Sequence, residues 1–233
     1  MPLNADTLQG HPASDFRLSN WLPTAAQVGA APAGYGLGED SMYPPNNSVD
    51  EAVLNGWYYI APSMTGAPSM PGLNSVGYGA LLVINRTGLV TQEYYVEPHT
   101  GIGIYSIKLV RQKNNKGVWT DWEWVNPPML AGVEYRTTER WNGKAVYTKL
   151  LNFGTATDYT TVSLGIAGTC SIIRQEGTLT DAGIVIPYNE FGGSNSFNIL
   201  TAINAGEWRC TFRVGSNYSG RFTLALQAWY VKT

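Results

Sequence analysis

The chain has 233 residues and a formal net charge of −2, which is enough for one large domain or two small ones. Charged residues make up 14% and aromatic residues 12%, which excludes an electrostatic nucleic-acid binder and a disordered chain. No apolar run is long enough to span a membrane, so we expect no membrane-spanning segment. Residues 1–10 lack the basic and apolar segments of a secretory signal, so we expect no such signal. A chain of this size cannot bury so many rings, so we expect some to face a second copy, a partner or a ligand.

Residues 1–50 are rich in Pro, Ala and Gly without a helical or alternating period, and we interpret them as an N-terminal connector. Near its end, Ser48 and Glu51 have the spacing of a capping box. This spacing predicts a short helix that Asn55-Gly56 ends within two turns.

Residues 51–128 form a second zone, in which the hydrophobic period changes to two after Trp57. A short helix followed by a meander of strands predicts a small α+β module. The strands are expected at residues 79–85, 90–96, 102–112 and 118–125.

Residues 129–233 form the third zone, where short strands alternate with turn signals such as Asn142-Gly143 and Ala205-Gly206. This spacing predicts an antiparallel, jelly-roll-like β-sandwich, so the chain as a whole is expected to be mainly β. The strands are expected near residues 133–140, 144–153, 160–167, 169–175, 183–187, 196–203, 206–214 and 221–231.

The last predicted strand is apolar on both faces, which indicates that both faces are covered. The sandwich core covers one face. A second subunit is the favoured cover for the other face, which carries Ala225, Trp229 and Val231, and the connector of the same chain is the alternative.

Few residues point to a metal, a cofactor or a disulfide. No Cys or carboxylate has metal-ligand spacing to either histidine, and no phosphate loop or nucleophile elbow is present, so we expect no cofactor. Cys170 and Cys210 lie in predicted strands; two buried thiols are favoured, and a bridge stays open.

The order of motifs in the second zone resembles the knob module of bacteriophage tail fibres and R-type pyocin fibres. Four segments carry this resemblance: Asn55-Gly56-Trp57-Tyr58, residues 79–83 (GALLV), residues 91–95 (TQEYY) and residues 119–122 (WTDW).

The third zone looks like the C-terminal domains of tail and baseplate proteins. It opens with residues 139–149 (ERWNGKAVYTK), where Ala145 stands at a position usually held by Pro, and closes with residues 228–233 (AWYVKT). Together the two resemblances imply a homotrimeric receptor-binding protein at the tip of a tail fibre, in the virion. Its implied partners are other tail or baseplate proteins, through the N-terminus, and a surface polysaccharide or teichoic-acid-like glycan of the host.

Saccharide binding calls for exposed rings that stack on sugar C–H faces and for polar side chains that bind hydroxyls. Such groups concentrate in the loops of the third zone, on a rigid β scaffold. The candidate ligand-binding residues are Asp158, Tyr188, Asn189, Asn195, Arg213 and Tyr218. Trp57, Tyr94, Trp119 and Trp122 of the knob are expected in the core rather than on a ligand platform.

Two other functions stay open at this point. The chain could be a structural fibre connector without receptor binding. It could also be a glycan hydrolase, which needs two nearby carboxylates, and Asp121 and Glu123 are a candidate pair by count alone. A solvated strand face explains that pair more simply, so no catalytic residue is assigned.

Overall fold

The structure is a computed structural model that describes residues 7–8, 11–12, 42–70, 78–97, 107–155, 157–181, 184–187, 197–217 and 219–233. These residues contain strands and two 3₁₀ turns, Pro45–Asn47 and Val49–Glu51, but no α-helix. The expectation of a mainly β chain is therefore confirmed.

The strands fall into three sheets. A ten-stranded sheet has the order β12-β11-β15-β9-β8-β7-β6-β5-β4-β3, a three-stranded sheet has the order β10-β14-β13, and β1 pairs with β2. Their bounds are β1 Thr7–Leu8, β2 His11–Pro12, β3 Gly56–Ile60, β4 Gly79–Arg86, β5 Leu89–Val96, β6 Lys108–Lys113, β7 Glu123–Trp124, β8 Glu134–Trp141, β9 Lys144–Thr155, β10 Thr160–Ala167, β11 Ser171–Asp181, β12 Ile184–Pro187, β13 Phe197–Asn204, β14 Glu207–Val214 and β15 Thr223–Val231.

Two-residue turns with positive φ at both positions fix the register of three hairpins. They are Thr87-Gly88 (φ 51° and 91°), Asn142-Gly143 (48° and 77°) and Ala205-Gly206 (53° and 79°). These φ values belong to the type I′ turn, whose twist matches that of the flanking strands. The predicted turn signals at 142–143 and 205–206 therefore lie where the structure has hairpins.

The sandwich core lies between the three-stranded sheet and the part of the large sheet formed by β9, β11 and β15. Five alternate residues of the last strand region face it, as the sequence pattern predicts, and all five are buried: Phe222, Leu224, Leu226, Ala228 and Tyr230. From the opposite sheet come buried side chains of β10, β13 and β14, including Leu164, Phe197 and Phe212.

A second core lies on one face of β3–β6. Its buried residues include Tyr58, Leu81, Tyr94 and Leu109, which alternate along their strands with partly exposed residues on the other face. Tyr135 of β8 also belongs to this core, and β7 pairs with β8 in parallel at Trp124 and Thr137. The predicted boundary between residues 128 and 129 stays a prediction.

The predicted helix after Ser48 is wrong. Ser48 makes no side-chain cap, and residues Val49–Glu51 form a single 3₁₀ turn. Long-range backbone pairing takes the place of the helix, because the Val49 N–H donates to the Thr65 carbonyl at 2.8 Å. The Glu51 carboxylate accepts a hydrogen bond from Asn46 instead of from the helix start.

The predicted strand over residues 118–125 is also wrong in most of its length. Only Glu123–Trp124 is a strand, preceded by an isolated bridge at Trp119. The indole N–H groups of Trp119 and Trp122 donate to the carbonyls of Asp50 and Gly66, so this segment turns toward the loops before β3 and after it. Part of the predicted strand over residues 102–112 lies outside the described residues.

Candidate functional site

One end of the sandwich holds the strand ends from which the predicted saccharide loops depart. The first residue of β10 pairs with Phe212, the first residue of β13 pairs with Val214, and β15 begins opposite the last residue of β9. Because these pairings are adjacent, the ends that flank segments 156–159, 188–196 and 215–222 lie together. We call this the loop end of the sandwich.

Of the six predicted saccharide residues, Asp158 and Arg213 lie within the described part of the chain, and the structure brings them to the loop end. Tyr188, Asn189, Asn195 and Tyr218 lie outside the described residues, so their part in a site stays a prediction.

Asp158 ties two loops of this end together. Its Oδ1 atom accepts a hydrogen bond from the Val214 N–H at 2.9 Å, and its own N–H donates to Ser219 Oγ at 3.2 Å. The carboxylate is thus engaged by the backbone of β14, so Asp158 fixes the position of its neighbours.

Tyr159, the residue after Asp158, is the ring that the sequence analysis did not select. Its side chain is 62% exposed and its φ is 57°, in the left-handed region. The Arg213 guanidinium lies 4.6 Å from the centre of this ring.

The outer face of the three-stranded sheet continues this surface with polar side chains. Thr161 and Thr211 share a hydrogen bond at 2.8 Å, and Glu207 accepts hydrogen bonds from Ser163 and Arg209. The bond from Ser163 is the main reason why the pKa of Glu207 is lowered. The outer face thus carries hydroxyl and charged side chains beside the exposed Leu200.

The knob carries half-buried and exposed rings on the second face of β3–β6, opposite the face of its buried core. Tyr59 lies 5.4 Å from Tyr43 and 6.3 Å from Tyr78, and Trp57 lies 5.7 Å from Tyr95, measured between ring centres. The core prediction for Trp57 is therefore wrong. The other three core predictions hold: Tyr94 is fully buried, and Trp119 and Trp122 pack against the core.

A buried cation organises Trp119 and Trp122. The Arg111 guanidinium lies 4.3 Å and 4.4 Å from the two ring centres, and its Nε atom donates to Gln92 Oε1 at 2.7 Å. Asp50 Oδ1 lies 2.7 Å from Arg111 Nη2. Burial lowers the pKa of Arg111, and the Asp50 carboxylate partly offsets this.

The carboxylates considered for hydrolysis are both engaged by arginines. Arg136 donates to Asp121 and, at 3.1 Å, to Glu123, and Arg140 donates to both oxygens of Glu123 at 2.7 Å and 2.8 Å. Glu123 is buried as well. This arrangement links β7 with β8 and gives a structural role to the pair.

The residues predicted at a trimer interface lie on the central strand β15. Trp229 and Val231 are 8% and 4% exposed in the single chain, because they pack with Val146 and because the Arg174 guanidinium covers the indole at 3.9 Å. Ala225 is half-buried. The covered second face thus has an explanation within one chain, and the interface stays a prediction.

Three other features bear on the chemistry. Cys170 and Cys210 are free and buried, and burial raises the pKa of the Cys210 thiol to about 12. The described residues contain no group of three or more His, Cys, Asp or Glu side chains that would hold a metal ion. Among them, no helix has the length and apolar character that a membrane crossing needs.

No protein-family profile matches the sequence, and no curated protein matches it. Among solved structures, an N-truncated R2-type pyocin tail fibre matches over 80% of this chain and 95% of its own, with 13% identity and a TM-score of 0.27. A C-terminal part of the R1 pyocin fibre of P. aeruginosa matches over 80% of this chain and 65% of its own, with 10% identity and a TM-score of 0.24. Both proteins come from the class of fibre that the knob motifs resemble. Their sequence identities and TM-scores are too low to assign a fold or a function to this chain by themselves.

Proposed function

We propose that this chain is part of a bacteriophage tail fibre and attaches the virion to a bacterial host by binding a saccharide of the cell surface. The motifs in residues 55–122 and 139–149 support the fibre assignment. The observation that carries the binding role is the exposed Tyr159 ring with the Arg213 guanidinium over it, at the loop end of a rigid sandwich. Binding of this kind requires no catalysis. Other tail or baseplate proteins would bind the N-terminal part of the chain.

The chemistry of the loop end fits a sugar. An exposed ring offers an apolar face to the C–H groups of a pyranose, and a guanidinium offers several N–H donors to its hydroxyls. Asp158 holds the loop in place through Val214, so the ring and the guanidinium need little ordering when a ligand arrives.

We further propose that the chain works as a homotrimer. A single open site of this kind binds weakly, and three sites on one tip gain apparent affinity by multivalency. Light scattering on the purified chain should then give the mass of three copies, and a mass of one copy would exclude this assembly.

The binding role is tested with the full chain on an array of bacterial surface glycans. We expect retention on at least one glycan, and Tyr159→Ala and Arg213→Ala should each weaken it about tenfold, because each removes one stacking or hydrogen-bonding partner. Tyr43→Ala is the matched control, since Tyr43 is 72% exposed on the knob and should leave retention unchanged.

Two outcomes contradict the proposal in different ways. If no glycan on the array and no bacterial surface retains the chain, the receptor role is wrong and the chain is better described as a structural connector. If a glycan binds but both loop-end variants bind like the parent, the function stands and the site lies elsewhere.

A further inference from the structure

A cleft of about 410 Å³ lies at the end of the sandwich opposite the loop end. One wall is formed by Glu134, Tyr230, Lys232 and Thr233, and the other by residues 165–167, Thr169 and Cys170. Its volume falls near the lower end of the usual range for small-ligand sites, about 300–1,000 Å³. The space therefore suits one or two small rings rather than a long polymer segment.

The polar wall converges on one carboxylate. Glu134 Oε1 accepts a hydrogen bond from Lys232 Nζ at 2.6 Å, and Glu134 Oε2 accepts one from the Tyr230 hydroxyl. The Lys232 ammonium also lies 4.1 Å from the centre of the Tyr147 ring. These contacts fix the carboxylate and the ammonium while both stay partly open to the cleft, with 39% and 47% of their side chains exposed.

The charges of this wall narrow the class of ligand. Lys232 and Glu134 compensate each other, which disfavours a simple anion, and a single carboxylate beside an ammonium disfavours a metal cation. A fully apolar ligand would leave the cleft side of this ion pair without water or a hydrogen-bond partner. A neutral molecule with several hydroxyl groups fits this wall, because it can donate hydrogen bonds to Glu134 and accept one from Lys232.

We propose that this cleft is a second binding site, which takes one neutral hexopyranose unit. The Glu134 carboxylate and the Lys232 ammonium bind its hydroxyls, and the opposite wall, where Ala167 is exposed, faces its C–H groups. β15 runs from one end of the sandwich to the other, which places the cleft roughly 25 Å from Tyr159 and Arg213. The cleft site is therefore separate from the loop end, and either one can exist without the other.

The test uses the full chain with methyl-labelled isoleucine, because Ile166 lines the cleft and Ile84 of the knob is a distant reference. Glucose, galactose and N-acetylglucosamine are titrated as neutral probes, with glucuronate as the charged counterpart. We expect at least one neutral sugar to shift the Ile166 signal in a saturable way, to leave Ile84 unchanged and to bind more tightly than glucuronate.

Two variants and one control connect that shift to the cleft. Glu134→Gln should weaken the binding about tenfold or more, because it removes a charged hydrogen-bond acceptor. Ala167→Leu fills the cleft from an exposed position while every polar group stays in place, and it should abolish the shift. Glu139→Gln is the matched control on the same strand, with its carboxylate near Arg174 outside the cleft, and it should bind like the parent.

The proposal is overturned if none of the three neutral sugars shifts Ile166, if glucuronate binds more tightly than all of them, or if Ala167→Leu leaves the shift intact. Because the readout is local to the cleft, any of these results leaves attachment through the loop end unaffected. If Tyr159→Ala loses glycan retention but keeps the Ile166 shift, the cleft binds its sugar independently of the loop end.

Discussion

Replacing Arg111 with methionine tests whether the buried cation of the knob stabilises the fold. Arg111 is 6% exposed and lies between the indoles of Trp119 and Trp122. Methionine has a similar length and can still fill the space between the rings, so the substitution removes charge and hydrogen bonds more than it removes volume.

The expected loss in the free energy of unfolding follows from the contacts that Arg111 makes. The Gln92 amide oxygen, whose residue is fully buried, loses its charged donor, which costs about 1–3 kcal/mol. Two cation–π contacts are lost, at about 0.5–2 kcal/mol each. The relief of burying a guanidinium works in the opposite direction, whereas the buried Asp50 Oδ1 atom loses its cationic partner. We expect a net loss of about 2–3 kcal/mol, below the sum of these contributions.

The measurement is urea unfolding followed by tryptophan fluorescence, with Arg86→Met as the matched control. Arg86 is exposed at the end of β4, so its replacement should change the free energy of unfolding by less than about 0.5 kcal/mol. If Arg111→Met is as stable as the parent or more stable, the desolvation of the cation outweighs its contacts, and the stabilising role argued here is wrong.

Two further predictions concern a turn and an acid. Ala205→Asn should raise the free energy of unfolding by about 0.5–1 kcal/mol, because asparagine tolerates the φ of 53° better than alanine does; Ala202→Asn on the neighbouring strand should give no such gain in the same urea titration. A hydrogen bond from Lys108 is the main reason why the pKa of Glu93 is lowered, so this pair stabilises the fold above the ordinary pKa near 4.5 and loses that effect as the pH falls below it. Glu93→Gln should therefore be less stable than the parent at pH 7, with a difference that shrinks in acid titrations; a difference that stays constant down to pH 3 would contradict this.

The strands of the sandwich could be predicted because local signals and long-range packing agree there. Each of the eight begins within two residues of its expected start, since period-two alternation marks the faces and Asn-Gly or Ala-Gly turns mark the ends. The pattern of β15, apolar on both faces, likewise indicated a central strand covered on both sides, which is its place between β11 and β9.

The knob shows where such signals fail. The aromatic spacing of residues 118–125 is typical of a strand, yet Trp119 and Trp122 are drawn onto Arg111, a contact that depends on Asp50 far away in the sequence. Ser48 has a capping-box neighbour, yet backbone pairing with Thr65 prevails over the helix. In both places a tertiary contact outweighs a local preference that the sequence displays clearly.

The candidate sites divide in the same way. Loop composition pointed to Asp158 and Arg213, and the fold brings them to one end, although the exposed ring beside them is Tyr159. The cleft could not be predicted from the sequence, because Glu134 and Lys232 are separated by 98 positions and meet only through the pairing of β8, β9 and β15. Sequence composition can identify candidate binding residues within one loop. A pocket assembled from distant strands can be predicted only when the register of the strand pairing is known.

Part of the aromatic surface is covered within the chain by Lys and Arg side chains. Rings that lie against a Lys or Arg side chain include Tyr95, Trp119, Trp122, Tyr147, Tyr159 and Trp229. Each such contact shields a ring face while the polar end of the cation can stay near water. The face of Trp229 is already covered by Arg174, so a second copy placed there would bury little additional area. The proposed trimer therefore has to draw its apolar contact from rings that remain open, such as Trp141 on the β8–β9 hairpin or Tyr78 on the knob.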